Sequence, residues 1–185
     1  MRKVVFGLAI ITVIITMFLI FKHNHRQVPT INDVTNITSD WGTTIEEIYL
    51  VKKIEGEWLT IFRDEDSMMI ARLVQNWFGY WEIKDDLGSE STLASSDYPP
   101  SHHAFNWTAS ESGTNVSYYF GQINNPTIKR IEVETQKNSF EVAKIISSEK
   151  ARFFFIKSNG EMLMPINISG YSETGELIYS TNNPN

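Results

Sequence analysis

The chain has 185 residues, 42% hydrophobic and 21% charged, which is enough to bury one sizeable core and excludes a disordered or collagen-like composition. With no cysteine, disulfide scaffolds, thiol nucleophiles and thiolate metal centres are excluded together. The formal net charge of −6 is unevenly spread: residues 1–26 hold four of the 16 basic residues and none of the 22 acidic ones, so the remainder carries 12 against 22, a net −10, which argues against binding nucleic acid or anionic headgroups.

Val4 to Phe21, VVFGLAIITVIITMFLIF, runs 18 positions without a charge, proline, asparagine or glutamine. As a helix it would cross about 27 Å of hydrocarbon, so a transmembrane helix ending at Val4 and Phe21 is expected within an anchor segment 1–26. A core helix would show a polar stripe, and a cleaved leader would end in small residues rather than KHNHRQ. Arg2 and Lys3 before the run balance Lys22 and Arg26 after it. A start signal led by two basic residues exports the chain beyond it, so the C-terminal bulk is expected outside the cytoplasm of a single-pass cell-membrane protein.

Residues 27–40 are polar and aperiodic and read as a stalk. In 41–86, TTIEEIYL has capping-box spacing and predicts a short helix, followed by a β-meander. EWLTIFR, after the turn residues Glu55-Gly56, is a strand apolar on both faces, and DEDS is the next turn. In MMIARLVQNWFGYWEI, Met69, Ile70, Leu73, Val74 and Trp77 also fit helical spacing. Two strands are preferred, the second over Trp77 to Ile83, with Gly79 marking a bulge or a close backbone approach. Residues 87–103 have the composition of a long connection.

From 104 to 185 the pattern is that of an antiparallel β-sandwich-like subdomain. Ile131 and Val133 alternate with Arg130, Glu132 and Glu134, the mark of a strand with one buried and one wet face. SFEVAKIIS, ARFFFIKS, MPINISGYS and ELIYS come next, the last two joined as a hairpin, and Phe153 to Phe155 fill both faces of a central strand. The expected fold is therefore mainly β, with α+β as its limit. The succession FGQINNPTIKRIEVE, AKII, RFFFIK and ISGYSETGELIY, after GEWLTIF and FGYWEIKDD, resembles uncharacterised membrane-anchored exported β-rich proteins of Gram-positive spore-forming bacteria. The resemblance implies a fold and a location, and carries no catalytic residue.

Chemistry is sparsely signalled. His102-His103 would point to opposite sides of a strand and reads as a solvated pair, and Asp64, Glu65 and Asp66 lack calcium-loop spacing. Ser147-Ser148-Glu149-Lys150 matches SxxK without its companion motifs. No catalytic residue, metal ligand or cofactor is assigned. Trp77 and Trp81 would share one face of a strand and are the candidate ligand platform. The expected function is a non-catalytic interaction or accessory module at the bacterial cell surface, with a protein partner. The alternative is a wall-glycan-binding module, and an unrecognised hydrolase or metal-dependent enzyme comes third.

Overall fold

The computed structural model describes residues 2–100, 103–112, 115–136, 139–165 and 167–182, with the side chains of 2–5, 7–9 and 112 outside that description. Among the described residues, two helices precede three antiparallel sheets. The helices are α1 (Arg2–Asn24) and α2 (Ile31–Thr38). The first sheet contains β1 (Glu47–Ile54), β2 (Glu57–Arg63), β3 (Ser67–Gln75) and β4 (Trp81–Ile83) in that order, with β5 (Ala94–Asp97) on β3 beyond β4. The middle sheet takes β6 (Thr108–Ser112), β7 (Val116–Ile123), β10 (Lys144–Ser147) and β11 (Arg152–Asn159), in the order β10-β11-β7-β6. The third takes β8 (Arg130–Gln136), β9 (Ser139–Val142), β12 (Asn167–Tyr171) and β13 (Leu177–Ser180), in the order β13-β12-β8-β9.

Period-two alternation builds three cores from these sheets. Leu59, Ile61, Met68 and Ile70 of the first sheet meet Tyr118, Phe120, Phe153 and Phe155 of the middle one. On the other face of the same middle strands, Tyr119, Phe154 and Ile156 meet Ile131, Val133 and Ile168 of the third sheet. Phe62, Met69, Ala71 and Leu73 form the outer face of the first sheet and pack with Val34 of α2. The sandwich expected within 104–185 thus extends to a third layer, and 41–86 shares a core with it.

Several sequence expectations hold in detail. EWLTIFR is β2, entered from β1 through a two-residue loop in which Glu55 and Gly56 both have positive φ, the geometry that matches strand twist in tight hairpins. β11 lies inside the middle sheet, and Ile131 and Val133 are buried while Arg130 is exposed. β12 and β13 form the expected pair.

Other expectations are corrected. TTIEEIYL is not a helix: Glu47 to Ile54 pairs along β2, because Ile48, Tyr49, Leu50 and Val51 serve both faces of a sheet. The stalk of 27–40 contains α2. Its capping box closes with the Thr30 amide donating to Asp33 Oδ2 at 2.7 Å and the Asp33 amide donating to Thr30 Oγ1 at 3.3 Å. The 87–103 connection contains β5, whose Ala94 and Ser96 are buried. SFEVAKIIS divides at Ala143 into two strands that join different sheets.

For α1, the structure shows a helix of 23 residues. Among the described residues no helix is long and apolar enough to cross a membrane. The span expected from Val4 to Phe21 is therefore not shown by these residues.

Phe154 is fully buried, and its ring lies against Gly121, where an added Cβ would come within 2.6 Å of the ring and 2.0 Å of the Asn106 carbonyl oxygen. Phe154→Ala should cost about 3–5 kcal/mol in chemical denaturation. Arg130→Ala removes a partly exposed ion pair with Glu132 and a ring contact with Tyr171, and should cost about 1 kcal/mol or less. Equal midpoints for the two variants would contradict this placement of the core.

Candidate functional site

β3 runs into β4 through a turn, Asn76 to Tyr80, which Asn76 organises. Its Oδ1 accepts from the amides of Phe78 at 2.9 Å and Tyr80 at 3.1 Å, and its Nδ2 donates to Glu82 Oε1 at 2.7 Å. With the polar residue turned inward to bond the backbone, Trp77, Phe78 and Tyr80 are left pointing outward, 78%, 64% and 64% exposed.

The C-terminal end of α1 docks on this turn. Gln75 Nε2 donates to the Asn24 carbonyl at 2.9 Å, satisfying a helix-end acceptor, and Asn24 Nδ2 donates to the Phe78 carbonyl at 3.2 Å. Gly79, at φ +82°, permits the approach: a Cβ there would lie 2.6 Å from Asn24 Cβ and 3.1 Å from the Asn24 backbone carbon. The expectation that Gly79 marks a close backbone approach is met in this contact. The rings of Phe21 and Trp77 stand 6.0 Å apart, and Met17, Phe18, Phe21, Trp77, Phe78 and Tyr80 line an apolar cleft of about 540 Å³.

The structure does not bring Trp77 and Trp81 onto one face. Trp81 begins β4 and meets Trp58 edge to face at 6.4 Å, with its indole N–H buried and without an acceptor in the protein. The strand expected over Trp77 to Ile83 is confined to 81–83, because Asn76 diverts the preceding residues into the turn. Of the expected anchor ends, Phe21 is the residue that touches Trp77, and the side chain of Val4 lies outside the described residues. His102 also lies outside them; His103 is exposed, 5.9 Å from the Tyr179 ring. Among the described residues no group of three or more histidine, aspartate or glutamate side chains could hold a metal.

Two charged seams close the first sheet onto the middle one at opposite ends of β2. At one, Glu47 accepts from Lys150 and from Arg63 Nε at 3.4 Å, while the Arg63 guanidinium also bonds Glu46 and lies 4.5 Å over the Tyr98 ring. At the other, Lys157 Nζ donates to Glu57 at 2.9 Å, Arg72 pairs with Asp86 at 2.8 Å, and the Tyr118 hydroxyl donates to Asp86. The Lys150 hydrogen bond holds the Glu47 carboxyl below the ordinary glutamate value. Burial first, and then the Glu47 charge, pushes Tyr49 up to about 12; burial and the Asp86 hydrogen bond likewise raise Tyr118. A tyrosine held neutral in this way is a fixed donor rather than a proton acceptor, so these seams act as clasps. Sequence reading misses them because the partners stand 103 and 100 positions apart.

No family model matches the chain, and no curated protein or solved structure matches it either.

The depressed Glu47 value sets the sign of an acid response. Its stabilisation is fully present above the unfolded value near 4.5 and is lost as pH falls through the lower native value. Urea midpoints followed downward through pH 4.5 should therefore fall less steeply in Glu47→Gln than in the unaltered chain. Tyr49 works in the opposite direction: stability complete below pH 10 declines as pH rises toward 12, so urea midpoints followed upward through that range should fall less steeply in Tyr49→Phe than in the unaltered chain. Gly79→Ala combines left-handed strain with the collision at Asn24, so amide exchange at Asn76 to Tyr80 should accelerate while β7 and β11 stay protected. Unaltered exchange at the turn would show that α1 is not held there.

Proposed function

We propose that this protein is a single-pass membrane-anchored module whose acidic β body stands outside the cytoplasm at the bacterial cell surface and acts by contact rather than catalysis. One observation carries the reading. Ile10, Ile11, Val13, Ile14, Ile15, Met17, Phe18, Leu19 and Ile20 are all exposed, so α1 presents apolar side chains all round and the β body approaches it only through the Asn76–Tyr80 turn at its C-terminal end. Such a helix needs a hydrocarbon solvent. Its hydroxyls suit that solvent too, since Thr16 Oγ1 donates to the Thr12 carbonyl at 2.9 Å. With the undescribed side chains included, the run from Val4 to Phe21 is long enough to span. The resemblance to exported β-rich proteins of spore-forming bacteria supports the same location.

Contact with a partner protein is supported by β9. It is an edge strand of the third sheet, and Phe140 and Val142 project from it, both exposed. An open edge with apolar side chains at alternate positions suits addition of a partner strand. Glycan binding is favoured by a different observation: the edge-to-face Trp58–Trp81 pair borders a cleft of about 350 Å³ that Arg72 also lines. The N–H of Trp81 and the Nε of Arg72 are donors without acceptors in the protein.

Protease added to intact protoplasts should digest the β body and leave a membrane-retained N-terminal fragment. Full protection would reverse the orientation, and release of the intact chain by alkaline washing would remove the anchor. The purified β body should not sediment with peptidoglycan; sedimentation that Trp81→Ala abolishes would instead establish the glycan reading.

A further inference from the structure

We propose that the Asn76–Tyr80 turn is a second membrane-contact element, in which Trp77, Phe78 and Tyr80 sit at headgroup level of the bilayer that α1 crosses and hold the β body in one orientation on it. The inference rests on the reading of α1 as a span.

Depth is the first argument. Phe21 is the last residue of the apolar run, and Lys22 and His23 come directly after it, so Phe21 marks the plane where hydrocarbon gives way to headgroups. The Trp77 ring stands 6.0 Å from the Phe21 ring, so its depth differs from that plane by no more than this distance, and the cleft between helix and turn reaches Met17 and Phe18 one turn deeper. Tryptophan and tyrosine favour this zone because each joins an apolar ring to a polar tip.

The chemistry of the surface is the second. Three large aromatic side chains among four consecutive residues are more than 60% exposed, on a turn with no charged residue between Asn76 and Tyr80. Lys22 and Arg26, beside the docked end of α1, have stems long enough to reach phosphates. The net −10 of the body would be repelled from anionic headgroups, so approach is confined to this uncharged tip. A protein partner seated on these rings would have to share the space with Phe18 and Phe21, which themselves require lipid.

Rigidity is the third. Gln75, Asn24 and the side-chain-free approach at Gly79 lock helix and turn together. The turn in turn belongs to β3, whose Met68, Ile70 and Leu73 are buried in two cores. Ring depth therefore dictates how the whole body sits.

The chain has no cysteine, so one introduced thiol is unique. Full-length protein in phosphatidylcholine vesicles should be labelled with an environment-sensitive fluorophore in Phe78→Cys and, separately, in Ile14→Cys. It should then be quenched by lipids bearing a nitroxide at the headgroup or at mid-chain. The expected result is mid-chain quenching for Ile14→Cys and headgroup quenching for Phe78→Cys, the latter falling several-fold when Trp77→Ser and Tyr80→Ser are added. A label at position 78 that no lipid nitroxide quenches, while position 14 is quenched, overturns this inference and leaves the anchor standing. That holds whether the label is open to water or shielded by a second copy or another protein. A position 14 label that lipid does not quench overturns the anchor and this inference with it.

Discussion

Every layer of this protein depends on burying both faces of β11 and β7. Consecutive strand residues point to opposite sides, so the run Phe153-Phe154-Phe155 must deliver rings alternately into two cores. The first and third sheets each supply the other wall of one core. Neither outer sheet could cover the middle strands alone, because a sheet wetted on the Phe154 face would expose the most apolar segment of the β body. Gly121 is part of the same constraint: directly across from Phe154, it leaves room for the ring and for the Asn106 carbonyl.

The charged seams result from that stacking. Once the apolar faces meet, Lys150 in the turn before β11 and Lys157 near its far end lie where Glu47 and Glu57 of the first sheet can reach them. Such partly exposed pairs contribute little net energy, but like-charge or unpaired alternatives are penalised, so they fix how the two sheets align. Alignment matters for the turn beyond β3. Because β3 is clamped between two cores, its far end is a rigid mount, and the docked C-terminal end of α1 shares that rigidity.

Local pattern was enough wherever a segment's neighbours along the chain imposed its environment. The exit loop at Glu55-Gly56, the alternating Ile131 and Val133, and the aromatic run of β11 all announce strands before any partner is known. It was not enough where tertiary context chose between two allowed conformations. TTIEEIYL carries both helix-cap spacing and β-branched apolar residues, and the free edge of β2 draws it into a strand. Ala94 to Asp97 has loop composition, yet the open edge of β3 recruits it as β5. Thr30 to Asp33 holds a capping box that polar, aperiodic surroundings concealed.

The sequence by itself determined the mainly β body, the strands β8, β11, β12 and β13 of its second half, the acidic balance and the apolar N-terminal run, because composition and period-two alternation are properties of consecutive residues; β6, β7 and the division of SFEVAKIIS into β9 and β10 were not legible in it. Only the tertiary structure decided that the sheets stack three deep, and that Trp81 turns inward to Trp58 while Trp77 swings out to Phe21. The physical reason is that these outcomes are set by side chains far apart in the chain. Asn76 turns its neighbours out of the strand through bonds to Phe78 and Tyr80 alone, but Gly79 can admit Asn24, and Trp77 can meet Phe21, only once the end of α1 and the edge of β3 have met.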